Sequence, residues 1–95
     1  GPNPNASGTT GYYFAATSEN LAQTVNKYIA RNLTVKSQGT KFQNFLVLRE
    51  NTQPSILLEL GYLNNVEDNK LIESSEYQEN IAKSIASALK EYFQQ

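Results

Sequence analysis

The chain has 95 residues, of which 39% are hydrophobic and 18% charged, and its formal net charge is −1. That length suits one small domain, and the balance is that of a globular rather than a disordered chain. Histidine and cysteine are both absent, which excludes disulfides, thiol catalysis, a Ser-His-Asp triad and any His- or Cys-ligated metal within these residues.

No block of Lys or Arg is present, so nothing draws the chain to a phosphate backbone, and nucleic acid is not an expected partner. No apolar run approaches the ~18 residues of a membrane span. The chemistry open to the chain by itself rests on carboxylates, hydroxyls, amides, Lys and Arg.

Gly1 to Gly11 is rich in Gly, Pro, Asn and Ser and reads as irregular, with residues 1–8 leading into the domain. Tyr12, Tyr13 and Phe14 then predict a short strand over Thr9 to Ala15. Tyr12 and Tyr13 alternate, so only one of them can face inward. Thr17-Ser18 offers an N-cap. Leu21, Val25, Tyr28 and Ile29 recur at helical spacing, predicting a helix from about Glu19 to Leu33. The following "TVKSQGTKFQN" reads as a loop broken at Gly39. Phe45 to Leu48, "FLVL", reads as a short strand.

Pro54 restricts the start of the next element. Ser55 to Gly61 is predicted as a strand covered on both faces. Period 2 puts Ile56, Leu58 and Leu60 on one face and Leu57, Glu59 and Gly61 on the other. "NNVEDNKLIES" predicts a short helix, with Asn64 as N-cap and Glu67 three residues on. Ser75-Glu76-Tyr77-Gln78 has a capping-box pattern. Ile81, Ala82, Ile85, Ala88, Leu89, Tyr92 and Phe93 then form the stripe of a long C-terminal helix, with Glu79 and Lys83 as an i,i+4 pair outside. The sum is an α/β layered fold: a mixed sheet of about three strands with packing helices, built like part of a larger sheet. Its edges need a cover.

Glu59 is the residue that asks for a reason. It sits inside the densest apolar run, near the carboxyl end of a strand, where functional groups of α/β sheets collect. Desolvation there would raise its pKa toward the range of a general acid or base. It could equally pair with a Lys or Arg, or lie on an exposed edge. Arg49 could pair with Glu59, bind a substrate carboxylate bidentately, or stay solvated.

"VLR" at Val47 to Arg49, "PSILLELGYLNN" from Pro54 to Asn65 and the amphipathic last helix together resemble the C-terminal part of the zinc-dependent N-acetylmuramoyl-L-alanine amidases, the amidase_3 family. "NPNASGTTGYYF" is similar to the strand that follows the family's second zinc-histidine segment. The resemblance covers nearly the whole chain. It implies a peptidoglycan hydrolase that cuts between the lactyl group of muramic acid and the first L-Ala of the stem peptide, at the bacterial cell envelope. The family's catalytic Glu falls on Glu59, where it would assist a zinc-bound water. Arg49 matches the arginine of "VLR", structural or substrate-orienting. Tyr62 replaces the commoner Phe.

The family's zinc ligands, two His and a Glu, would all precede Gly1. The resemblance therefore implies Zn2+ in the complete domain and none bound by residues 1–95 alone. Zinc lowers the pKa of bound water from ~15.7 to about 7, and a lone carboxylate has no such leverage. The isolated chain is expected to be inactive. Its partners are expected to be peptidoglycan and either the missing N-terminal half or a second copy across the open sheet edge. The alternative is a non-catalytic, amidase-like binding or regulatory module of the cell wall.

Overall fold

The computed structural model describes residues 7–61 and 65–94. The expectations placed on residues 1–6, Tyr62 and Asn64 lie outside them. The chain runs β1 (Thr9–Tyr13), a 3-10 turn (Ala16–Ser18), α1 (Glu19–Asn32), β2 (Ser37–Phe42), α2 (Leu46–Arg49), β3 (Leu57–Glu59), α3 (Val66–Glu73) and α4 (Ser75–Phe93). The sheet has three strands in the order β2-β1-β3. β1 pairs parallel with β2 and antiparallel with β3, so the sheet is mixed, as the sequence predicts.

Two predicted elements differ. The stretch read as a loop holds β2, and the run "FLVL" read as a strand holds the four-residue helix α2. Gly39 is the reason for the first difference. Its φ of +81° marks a register shift between β1 and β2 rather than the end of a strand. The second reflects a four-residue apolar run, whose period cannot separate helix from strand. Only Leu48 of that run is buried, while Leu46 and Val47 face solvent.

α1 packs against α4 on one side and against β1 and β2 on the other. Leu21, Val25, Ile29 and Leu33 meet Tyr77, Ile81 and Ala88 in the core, and Ile56, Leu58 and Leu60 pack onto this cluster from β3 and its flanks. The alternation read from sequence therefore holds, but the strand is not covered twice: Leu57 and Glu59 are exposed. On α4 the buried line is Tyr77, Ile81, Ser84 and Ala88. Ala82, Leu89 and Phe93 of the predicted stripe point outward. Ser84 fits a buried position because its hydroxyl donates to the Asn80 carbonyl and accepts from Asn32 Nδ2.

The caps of α3 and α4 are side-chain oxygens. Asn65 caps α3 by accepting from Asp68 N at 3.0 Å. Ser74, not Ser75, caps α4 through Tyr77 N. Ser18 stands at the N-cap of α1, yet its hydroxyl accepts from Ser55 N at 3.0 Å instead. Glu79 and Lys83 pair at 3.2 Å as expected. A clasp near the end of α4 was not foreseen: Glu91 accepts from Lys27 Nζ at 2.6 Å and from Tyr28 Oη at 2.9 Å. The Lys27 bond, then the Tyr28 bond, hold the Glu91 carboxyl below its ordinary pKa. Among the described residues no helix is long and apolar enough to cross a membrane.

Candidate active site on the open sheet face

Strand pairing decides which side chains meet. Thr10 lies opposite Glu59, and Tyr12 opposite Leu57 on β3 and Lys41 on β2. Paired residues share a face, so Thr10, Tyr12, Lys41, Leu57 and Glu59 stand on the side away from α1. Glu59 is exposed there, on the strand face that the sequence read as covered.

The Tyr12 hydroxyl donates to Glu59 Oε1 at 3.2 Å. The Tyr12 ring meets Phe45 edge-on, with centroids 5.3 Å apart. Tyr13 points to the opposite side and donates to Glu19 Oε2 at 2.7 Å; that bond, with Glu19's charge as a lesser cause, holds the Tyr13 phenol above its ordinary pKa. Neither tyrosine is fully buried. Thr10 is buried, and its Oγ1 finds no hydrogen-bond partner among the described residues.

β3 is short, and it is held from both ends. Ahead of it, Ser55 N is tied to Ser18. Behind it, Tyr77 Oη donates to the Leu60 carbonyl at 3.1 Å. Gly61 then runs against α3, where an added Cβ would stand 3.0 Å from Ile72 Cδ1 and 3.2 Å from Asp68 Cβ. That close approach is the physical reason for glycine two residues after Glu59.

Arg49 is not brought to Glu59. Its Nη1 donates to Asn44 Oδ1 at 3.0 Å, and its Nε lies 3.8 Å from Glu50 Oε1. Tyr12 takes the place beside Glu59 that the sequence offered to Arg49. Strand spacing alone could not find this partner, which lies 47 positions away in the chain. Knowledge of the β1–β3 register would have found it.

The residues present do not make a zinc site. His and Cys are absent, and among the described residues no three Asp or Glu side chains converge.

A mixed sheet packed by α1 on one face, with Glu59 and Lys41 on the other, defines an α/β fold. The chain belongs to the Amidase_3 family, described as N-acetylmuramoyl-L-alanine amidase, which matches residues 1–91. It is 38% identical over 89 residues to a probable cell wall amidase, LytH, of Staphylococcus epidermidis, covering 94% of this chain and 31% of that protein. It superimposes on the catalytic domain of the N-acetylmuramoyl-L-alanine amidase CwlV from Bacillus (Paenibacillus) polymyxa var. colistinus with a TM-score of 0.93 at 32% identity, covering 99% of this chain and 52% of that one. The amidase AmiC2 of Nostoc punctiforme gives 0.92 at 38% identity, covering 98% and 52%. The chain thus spans about a third of the LytH relative and about half of the solved domains.

Proposed function

We propose that residues 1–95 are the Glu59-bearing, C-terminal portion of a peptidoglycan N-acetylmuramoyl-L-alanine amidase. The observation that carries the reading is Glu59. It stands exposed on the sheet face away from α1, inside the "PSILLELGYLNN" segment, in a chain that superimposes over 99% of its length on one half of an amidase catalytic domain. An exposed carboxylate on an open face can serve a second body that brings substrate and the rest of the site.

In this reading Glu59 acts as general base and then general acid. It accepts a proton from the water that adds to the lactyl carbonyl carbon, and it returns the proton to the L-Ala nitrogen as the C–N bond breaks. The products are a lactyl carboxylate and a free stem-peptide amine. Arg49, partly exposed on α2, orients an anionic group of the substrate. The family's zinc would be held by residues other than these 95. The cell envelope is where the substrate lies, and the LytH relative is named for the cell wall.

The test is a chimera in which residues 1–95 replace the matching half of the AmiC2 catalytic domain. The chimera should release stem peptide from purified cell walls, the chain alone should not, and Glu59→Gln should abolish release. A fully active Glu59→Gln chimera would overturn the assignment. A well-folded chimera that is inert from the start would favour the non-catalytic module.

A further inference from the structure

Resting on the reading of Glu59 as the base, we infer that Tyr12 is the positioning residue that orients its carboxylate. Tyr12 and Glu59 are diagonal neighbours across the β1–β3 pair, because Tyr12 is registered with Leu57 and Glu59 lies two residues further on. Diagonal pairs are ~7–8 Å apart at the backbone, a gap that an aromatic side chain can cross. The phenol closes it and donates to Oε1 at 3.2 Å. Thr10 is registered directly with Glu59, but its hydroxyl is buried without a partner among the described residues. The donor that reaches the carboxylate is therefore the long side chain and not the near one.

The phenol is itself held. Phe45 packs its ring against the Tyr12 ring at an interplanar angle of 83°. Lys41 and Leu57 flank it as cross-strand neighbours on β2 and β3. A carboxylate on an exposed strand otherwise samples several rotamers, and time spent in a misdirected one costs rate in a proton transfer that needs fixed geometry. With Oε1 taken by the phenol, Oε2 is the oxygen presented to water.

The first measurement uses the 95-residue chain as it is. In carbon-detected NMR, Tyr12→Phe should shift the Glu59 Cδ signal and leave those of Glu79 and Glu91 in place. The ring and its contact with Phe45 survive the change, so the melting temperature should hold. An unmoved Glu59 signal in a folded variant overturns the inference. The second measurement uses the chimera. Tyr12→Phe should lower kcat about tenfold with KM within about twofold, as expected for the loss of one hydrogen bond to a charged group. A drop in stability with kcat unchanged would make Tyr12 merely structural and overturn the inference. Wild-type rates in Tyr12→Phe beside an inert Glu59→Gln would overturn this inference alone. Full activity in Glu59→Gln would overturn the base assignment and the role of Tyr12 with it.

Discussion

The buried carboxylate of Asp68 accepts the backbone amide of Gly8 at 3.0 Å, across 60 positions of sequence. The bond ties the start of β1 to the first turn of α3. A carboxylate there also suits the positive end of the helix dipole. Asp68→Ala removes the acceptor and strands the Gly8 amide in a buried place, which costs about 1–3 kcal/mol. For a domain of this size that lowers the melting temperature by roughly 4–8 °C per kcal/mol. Asp68→Asn keeps an oxygen acceptor and should cost less than half as much. Thermal unfolding followed by circular dichroism checks both. Equal losses in the two variants would show that the charge, not the hydrogen bond, matters.

Gly61 gives a second stability test, because its constraint is steric rather than conformational. A Cβ there would lie 3.0 Å from Ile72 Cδ1 and 3.2 Å from Asp68 Cβ. The Ile72 methyl can swing away, but the Asp68 Cβ is fixed by the helix. Gly61→Ala should destabilise the chain by about 1–3 kcal/mol, as overpacking does. Pairing it with Ile72→Val, which removes the nearer methyl, should recover part of that loss. Urea unfolding midpoints read the effect, and a neutral Gly61→Ala would show that α3 can move aside freely.

Tyr77 sets an alkaline limit. Desolvation by burial, and then the charge of Asp68, push its phenol above the ordinary value of 10.0. Its hydroxyl donates to the Leu60 carbonyl behind β3. The folded state thus holds this proton more tightly than the unfolded chain does. The stabilisation is complete below the unfolded pKa near 10 and is lost as pH rises from there through the higher folded value. Tyr77→Phe should be less stable than wild type at pH 8, and the gap should narrow above pH 10. Melting temperatures of both proteins across pH 8 to 11 measure it. A gap of constant size would mean that Tyr77 contributes packing only.

Much of the fold was legible because the large helices carry strong periods. Leu21, Val25 and Ile29 marked α1, and the alternation through Ile56, Leu58 and Leu60 sorted β3 correctly. β2 was not legible, since Ser37 to Phe42 has no alternating apolar pattern and Gly39 imitates a breaker. Its strand identity comes from pairing with β1, a contact made at a distance in sequence. The outward side of α4 departs from its apolar stripe for a related reason: Ser84 is polar yet buried, while Phe93 is apolar yet exposed. Local bonds to Asn80 and Asn32 decide the first, and no rule of hydropathy anticipates them. Glu59 was picked out by its surroundings in the sequence. Its partner Tyr12 was not, because only the register of β1 against β3 brings the two together.

The last prediction concerns what covers the open side. Leu46 and Val47 on α2 are 62% and 63% exposed, and Leu57 on β3 and Phe42 at the end of the edge strand β2 also face solvent. β2 and β3 are the outer strands of the sheet, and unpaired strand edges beside apolar side chains invite another chain. The isolated chain should therefore self-associate as its concentration rises, which sedimentation velocity would read as a growing s-value. Leu57→Lys with Val47→Lys should return it to a monomer by placing like charges on the meeting surfaces, without touching the α1–α4 core. Joining the matching half of a relative, as in the AmiC2 chimera, should have the same effect, because that half would occupy the same side. A chain that stays monomeric at every concentration would show that the exposed apolar groups are too scattered to bind. A double-Lys variant that associates as wild type does would place the contact elsewhere, with the exposed Leu89 and Phe93 on α4 the next surface to test.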